Sequence, residues 1–178
     1  MNKLTLRDLG ESDLKGKRVL LRVDYNVPLD ERMQITDDTR IQATLPTLEL
    51  LTDAGARVVI LAHFGRPKGK RVPEMSLRPA ARRLQELLPD RKVDFAGDTV
   101  GEQAEQATRD LGDGDVLVLE NTRYLPGEEK NDMELARQMA ALGDVYVNDA
   151  FGAAHRAHSS TAGVAEVMKE DGRLAAAG

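Results

Sequence analysis

The sequence predicts an α/β fold: an open parallel β-sheet flanked by helices on both faces, in a Rossmann-like three-layer sandwich. Two observations carry that reading. Short runs rich in Val, Ile and Leu recur along the chain, and segments with apolar residues at helical spacing separate them. A short apolar run without polar alternation is what a strand buried on both faces requires. Regular alternation of such strands with helices implies right-handed crossovers, which place helices on both faces of one parallel sheet.

Five runs fit strands: Arg18–Val23 (RVLLRV), Arg57–Ala62 (RVVILA), Lys92–Ala96 (KVDFA), Asp115–Glu120 (DVLVLE) and Asp144–Asn148 (DVYVN). Between the first two, Ile41, Leu45, Leu48 and Leu51 share a helical stripe that Gly55 ends, and Pro46 inside it is expected to kink or loosen the helix. Ser76 is placed to cap SLRPAARRLQELL, whose Leu77, Ala81, Leu84 and Leu88 align. Val100, Ala104, Ala107 and Leu111 mark a third helix. A fourth, NDMELARQMAAL, opens on a capping-box-like pair, Asn131 and Glu134. The stretch MKEDGRLAAAG has few apolar anchors and ends on glycine, so fraying is expected there.

Composition sets the bounds. A chain of 178 residues fits one ordinary domain, and with 41% hydrophobic residues but only three Phe, three Tyr and no Trp its core must be aliphatic. Having no cysteine excludes a disulfide scaffold, a thiolate nucleophile and a Cys-ligated metal. The charged N-terminal stretch MNKLTLRDLGESDLKGKR resembles neither a secretory signal nor a membrane anchor, so a cytoplasmic protein without a membrane partner is expected. A net charge of −5 argues against a nucleic-acid partner held over a broad basic face. Any anion site must be local.

Long irregular stretches at 24–40, 64–76 and 121–130 follow strand ends, and in open α/β sheets ligands bind outside the carboxyl ends of the strands. The first strand delivers Asp24 and Asn26, the second His63 and Arg66, the fourth Arg123, and the fifth leads to His155, Arg156 and His158; Arg40 opens the first long helix. Arginines gathered on one point suit a phosphate or carboxylate, because the guanidinium is a rigid, permanently charged fork that matches those groups. Asp24 and Asn26 suit a hydroxyl, which makes a small hydroxylated, phosphorylated acid a reasonable substrate class.

Each residue taken singly has a blander reading. Arg123 alone reads as a solvated charge, and Arg40 beside Asp37 and Asp38 as a neutralised one. His155 and His158 have a metal pair's spacing but no evident third ligand. Asn148–Asp149 reads as a turn. GRPKGKR is one residue short of a Walker A loop and carries Arg71 where Ser or Thr belongs, and GDGDV precedes its strand instead of following it, so neither makes a nucleotide cradle. What favours the site is coincidence, since every strand end but one carries the same kind of charged or polar residue.

Five blocks, RVLLRVDYNVP, ITDDTRI, LAHFGRPKG, VLENTRYLPGEEKND and GDVYVNDAFGAAHRAHSST, together resemble in order and spacing the signature blocks of phosphoglycerate kinase, over about Leu4 to Gly163. That family's enzymes are roughly twice as long. The resemblance implies that residues 1–170 are the N-terminal, 3-phosphoglycerate-binding domain, that 171–178 are a tail or the start of an interdomain linker, and that the C-terminal nucleotide-binding domain is absent. It implies reversible phosphoryl transfer between ATP and 3-phosphoglycerate in glycolysis, giving 1,3-bisphosphoglycerate, with Mg2+ and ATP or ADP bound by the missing half and no metal held by this chain. It also implies that His63, Arg66, Arg123 and Arg156 grip the phosphate, that Asp24 and Asn26 hold the hydroxyl and carboxyl end, and that Arg40 is catalytic. Tyr25 and Phe64 stand where the family usually has Phe and Leu. Alone, the chain is expected to bind substrate but not to turn it over, and to present apolar surface where its other half docks. The alternative is a non-catalytic module that binds phosphorylated acids.

Overall fold

Along β1 (Arg18–Asp24) successive side chains leave the sheet on opposite sides, and both sides are apolar. Val19, Leu21 and Val23 enter one core cluster and Leu20 the other. β2 (Arg57–His63) divides likewise, with Val58, Ile60 and Ala62 on one side and Val59 and Leu61 on the other. β3 (Val93–Ala96), β4 (Val116–Leu119), β5 (Val145–Asn148) and β6 (Leu174–Ala177) complete one sheet in the order β3-β4-β2-β1-β5-β6. Every pairing is parallel. The computed structural model describes residues 4–150 and 156–178.

Helices cover both faces. On one lie α1 (Glu11–Leu14), α2 (Thr39–Gln42), α3 (Leu45–Asp53) and α4 (Arg78–Leu87), which bury Leu14, Ile41, Leu48, Leu51, Ala81 and Leu84. On the other, α5 (Glu102–Arg109), α6 (Met133–Ala140) and α7 (Val164–Glu170) bury Ala104, Leu135, Met139, Val164 and Met168. The expected three-layer α/β architecture is present, with strand bounds within a residue of those read from sequence.

Three details differ. The stripe around Pro46 is two helices, α2 and α3, and Pro46 lies in the first turn of α3, where its missing N–H costs nothing. The cap of α6 is Asp132, whose Oδ1 accepts from Leu135 N at 3.0 Å, whereas Asn131 takes a left-handed backbone at φ 53° just outside. The stretch expected to fray instead forms β6: Leu174–Ala177 pair with β5, and Ala177 N donates to Leu4 O at 3.0 Å beyond the opposite edge. Paired backbone on both sides anchors a segment whose side chains offer little. Of the expected apolar surface, Leu50, at 45% exposure, is the large apolar side chain left open among the described residues.

From β1 the chain moves first to β2, β3 and β4 on one side, then crosses to β5 and β6 on the other. The direction of winding therefore reverses between β1 and β5. That reversal splays the following connections apart and opens a crevice at the strand ends.

Candidate functional site

The site begins where β1 stops. Asp24 Oδ1 accepts from Asn26 N at 3.0 Å, a side-chain turn that folds the chain back at the strand exit. Arg40, in α2, reaches this turn: its Nη1 donates to Asn26 O at 2.8 Å and lies 3.3 Å from Asp24 Oδ1. Asn26 Oδ1 accepts from Gly65 N at 3.0 Å, which ties the exits of β1 and β2 together. Gly65 has φ 62°, and a Cβ there would meet Met75 Sδ at 3.0 Å, so both backbone and space call for glycine.

The β4 exit is held by Asn121, which is fully buried. Its Oδ1 accepts from Phe64 N at 3.2 Å and Arg123 N at 3.0 Å, and its Nδ2 donates to Phe64 O at 2.6 Å and Met75 O at 3.0 Å. One amide thus fixes the loop carrying Arg66 against the loop carrying Arg123. Asn121→Leu should cost about 2–4 kcal/mol in a urea titration, because each backbone group orphaned in the interior costs about 1–3 kcal/mol. Arg123 is itself buried; its Nη1 donates to Gly65 O at 3.0 Å, and its Nε lies 3.6 Å from Glu129 with no hydrogen-bond partner among the described residues.

His63 closes β2, on the side of the sheet shared by Arg22 and Tyr146. Its Nδ1 lies 2.8 Å from Nη2 of Arg22, which is wholly buried. Arg22 Nε donates to Ser160 Oγ at 2.9 Å and its Nη1 to Val23 O. Ser160 in turn gives its Oγ–H to Glu128 Oε2 at 2.6 Å and its N–H to Glu128 Oε1 at 2.7 Å, while Tyr146 donates to Ser160 O at 2.8 Å. Burial, reinforced by the positive charges of Arg22, Arg123, His158 and Arg40, drives the His63 imidazole down to about 2. It is neutral at physiological pH.

That shift has a sign. The unfolded histidine takes a proton near pH 6.5 and the folded one only near 2, so the contribution is complete above about 6.5 and lost as pH falls between the two. Unfolding free energy at about pH 5 should lie about 2 kcal/mol below that at about pH 7, and His63→Asn should flatten this slope. His158 is lowered in the same direction, chiefly by burial, and adds to it.

The structure brings Asp24, Asn26, Arg40 and Arg123 into one hydrogen-bonded group at the exits of β1, β2 and β4, with His63 beside Asp24 in the sheet register but bonded to Arg22 instead. Arg66 and Arg156 are exposed, and both act on Arg123 as like charges, pulling its guanidinium below its ordinary value together with burial, the leading cause. The ion pairs that reach the group among the described residues are Arg40–Asp24 and Arg123–Glu129. His155 lies outside the described residues. His158 is buried with Nδ1 unpaired, and Asn148 Oδ1 accepts from Ala150 N at 3.1 Å in the expected turn. Sequence reading missed Arg22, Glu128 and Ser160, although a charged residue inside the apolar run RVLLRV was a signal. Among the described residues, no group of three or more His, Asp or Glu is placed to hold a metal, and no helix is long and apolar enough to cross a membrane.

A model of the family described as "Phosphoglycerate kinase" matches residues 7–177. The chain belongs to the phosphoglycerate kinase family. Phosphoglycerate kinase of Gloeobacter violaceus is 56% identical over 169 residues, covering 95% of this chain and 41% of that protein. The Cereibacter sphaeroides phosphoglycerate kinase is 59% identical over 162 residues, 91% of this chain and 41% of its own length. The structure of the Coxiella burnetii phosphoglycerate kinase superposes with a TM-score of 0.84 at 40% identity, over 99% of this chain and 42% of that one. That from Pyrococcus horikoshii gives 0.83 at 33% identity, over 98% and 42%. The chain thus spans about two fifths of the phosphoglycerate kinases it matches.

Proposed function

We propose that the chain is the 3-phosphoglycerate-binding half of a phosphoglycerate kinase, with Arg66, Arg123, Arg156 and His63 at the phosphate end, Asp24 and Asn26 at the hydroxyl and carboxyl end, and Arg40 acting on the transferred phosphoryl group. One observation supports this above the rest. Guanidinium and imidazole groups converge at the winding reversal of the sheet with fewer acids than bases among them, in a protein that is acidic overall. Such a cluster repels itself until an anion joins it.

The chemistry suits that arrangement. The attacking carboxylate of 3-phosphoglycerate is already ionised, with an acid pKa of about 3.5, so no general base is needed. The transfer needs positive charge on the migrating group and shielding from water, which Arg40 supplies in part. The remainder is assigned to Mg2+ and ATP or ADP on the C-terminal half, in the portion of the relatives beyond this chain. Neutral His63 contributes a directed N–H, not a charge.

Calorimetry with 3-phosphoglycerate should give weak but measurable binding, lost in Arg123→Ala. ATP-dependent turnover should appear when a nucleotide-binding half is added in trans. Binding without turnover in that mixture would point to a plain anion-binding module; turnover by the chain alone would overturn the division of labour.

A further inference from the structure

Among the described residues Arg22 is the largest side chain with no solvent exposure, and it stands in the central strand, on the face that otherwise packs Leu20, Leu61 and Tyr146. The proposed function gives it no task. A guanidinium in that position is costly unless every N–H finds an acceptor, and its partners form an ordered set. Val23 O, Ser160 Oγ and His63 Nδ1 take its three nitrogens. Beyond Ser160 sits Glu128, also with no exposure, both of whose carboxylate oxygens accept from Ser160.

Donor counting fixes the state of His63. Arginine has no acceptor, so the Nδ1 of His63 that faces it must carry the lone pair. The ring is then the tautomer protonated on Nε2. The same chain of bonds ends on the turn Ser159–Gly163, which starts three residues after Arg156; Thr161 Oγ1 bonds Arg156 O at 3.0 Å and Ser159 N bonds Glu128 O at 2.9 Å. One buried relay therefore reaches two of the candidate phosphate contacts from behind.

We propose that Glu128, Ser160 and Arg22 are positioning residues: they hold His63 as an Nε2–H donor and seat the turn that places Arg156. This rests on the proposed function only for what the two residues do, not for the tautomer, which can be read without any ligand. A histidine in the other tautomer would present a lone pair to an anion and repel it.

The test is nitrogen NMR of the histidine rings in the intact chain. Wild type should show His63 as a single Nε2–H tautomer that does not titrate between about pH 5 and 8. In Arg22→Met the ring should mix tautomers, in Ser160→Ala a minor Nδ1–H population should appear, and Arg22→Lys, which restores a donor, should return the wild-type pattern. An Nδ1–H tautomer in wild type, or Ser160→Ala spectra identical to wild type, overturns the relay. If Arg22→Met does not fold, the lysine and alanine variants decide it alone. In parallel, 3-phosphoglycerate affinity should fall about tenfold in Ser160→Ala, on the scale of one charge-assisted hydrogen bond. Absence of 3-phosphoglycerate binding by wild type would sink the assigned function and leave the tautomer result standing; unchanged affinity in Ser160→Ala with a mixed tautomer would confine the relay to structure and overturn its positioning role.

Discussion

Arg40→Ala is expected to lower phosphoryl-transfer rate by about 10²–10³-fold once the nucleotide-binding half is supplied, while costing 3-phosphoglycerate affinity far less. The reason is where Arg40 sits. It is the one arginine of the group whose ion pair is on the Asp24–Asn26 side, and its side chain is half exposed, with 52% of its surface open. An ion pair whose guanidinium stands open to water is weak, about 0–1 kcal/mol, so the guanidinium can leave Asp24 for a charge that develops only during transfer. Steady-state kinetics of the reconstituted pair, set beside calorimetry, separate the two effects. Comparable losses in kcat and in affinity would make Arg40 a ground-state contact and refute the assignment.

Glu128→Ala should have the largest effect on stability, about 3–5 kcal/mol, because it strips a buried guanidinium of its counter-charge. Glu128 opposes the burial that otherwise lowers the Arg22 guanidinium from its ordinary value. Adding Arg22→Met to the same chain should recover part of the loss, since an apolar pair replaces an unpaired charge, and the double-mutant cycle should show clear coupling. Urea midpoints measure both. A single-variant loss no larger than that of a surface change, about 0.5 kcal/mol, would show that water reaches the network.

The sheet was legible in the sequence because strands buried on both faces leave uninterrupted apolar runs, and β1, β2 and β5 follow those runs closely. β6 was not, because Leu174–Ala177 lacks β-branched side chains and owes its conformation to backbone pairing with β5 and residue 5. Caps were off by one where neighbouring side chains compete, as Asn131 and Asp132 do. The arginines and Asp24 could be found because strand exits are predictable positions. Arg22 left a trace as a charge inside an apolar run, but Glu128 in its loop left none, and only the fold shows that a serine from a distant turn lies between them.

The central position of β1 also sets a timetable. Its partner on one side, β2, follows it closely in the chain, but its partner on the other side is β5, which pairs Val19 with Val145. At typical synthesis rates the ribosome needs on the order of ten seconds to make the intervening stretch. For that interval the central strand has an open edge, a template for pairing with other chains. Docking of β5 closes it. Tyr146 of β5 donates to Ser160, so the strand that closes the hazardous edge is also one that holds the buried charged network together.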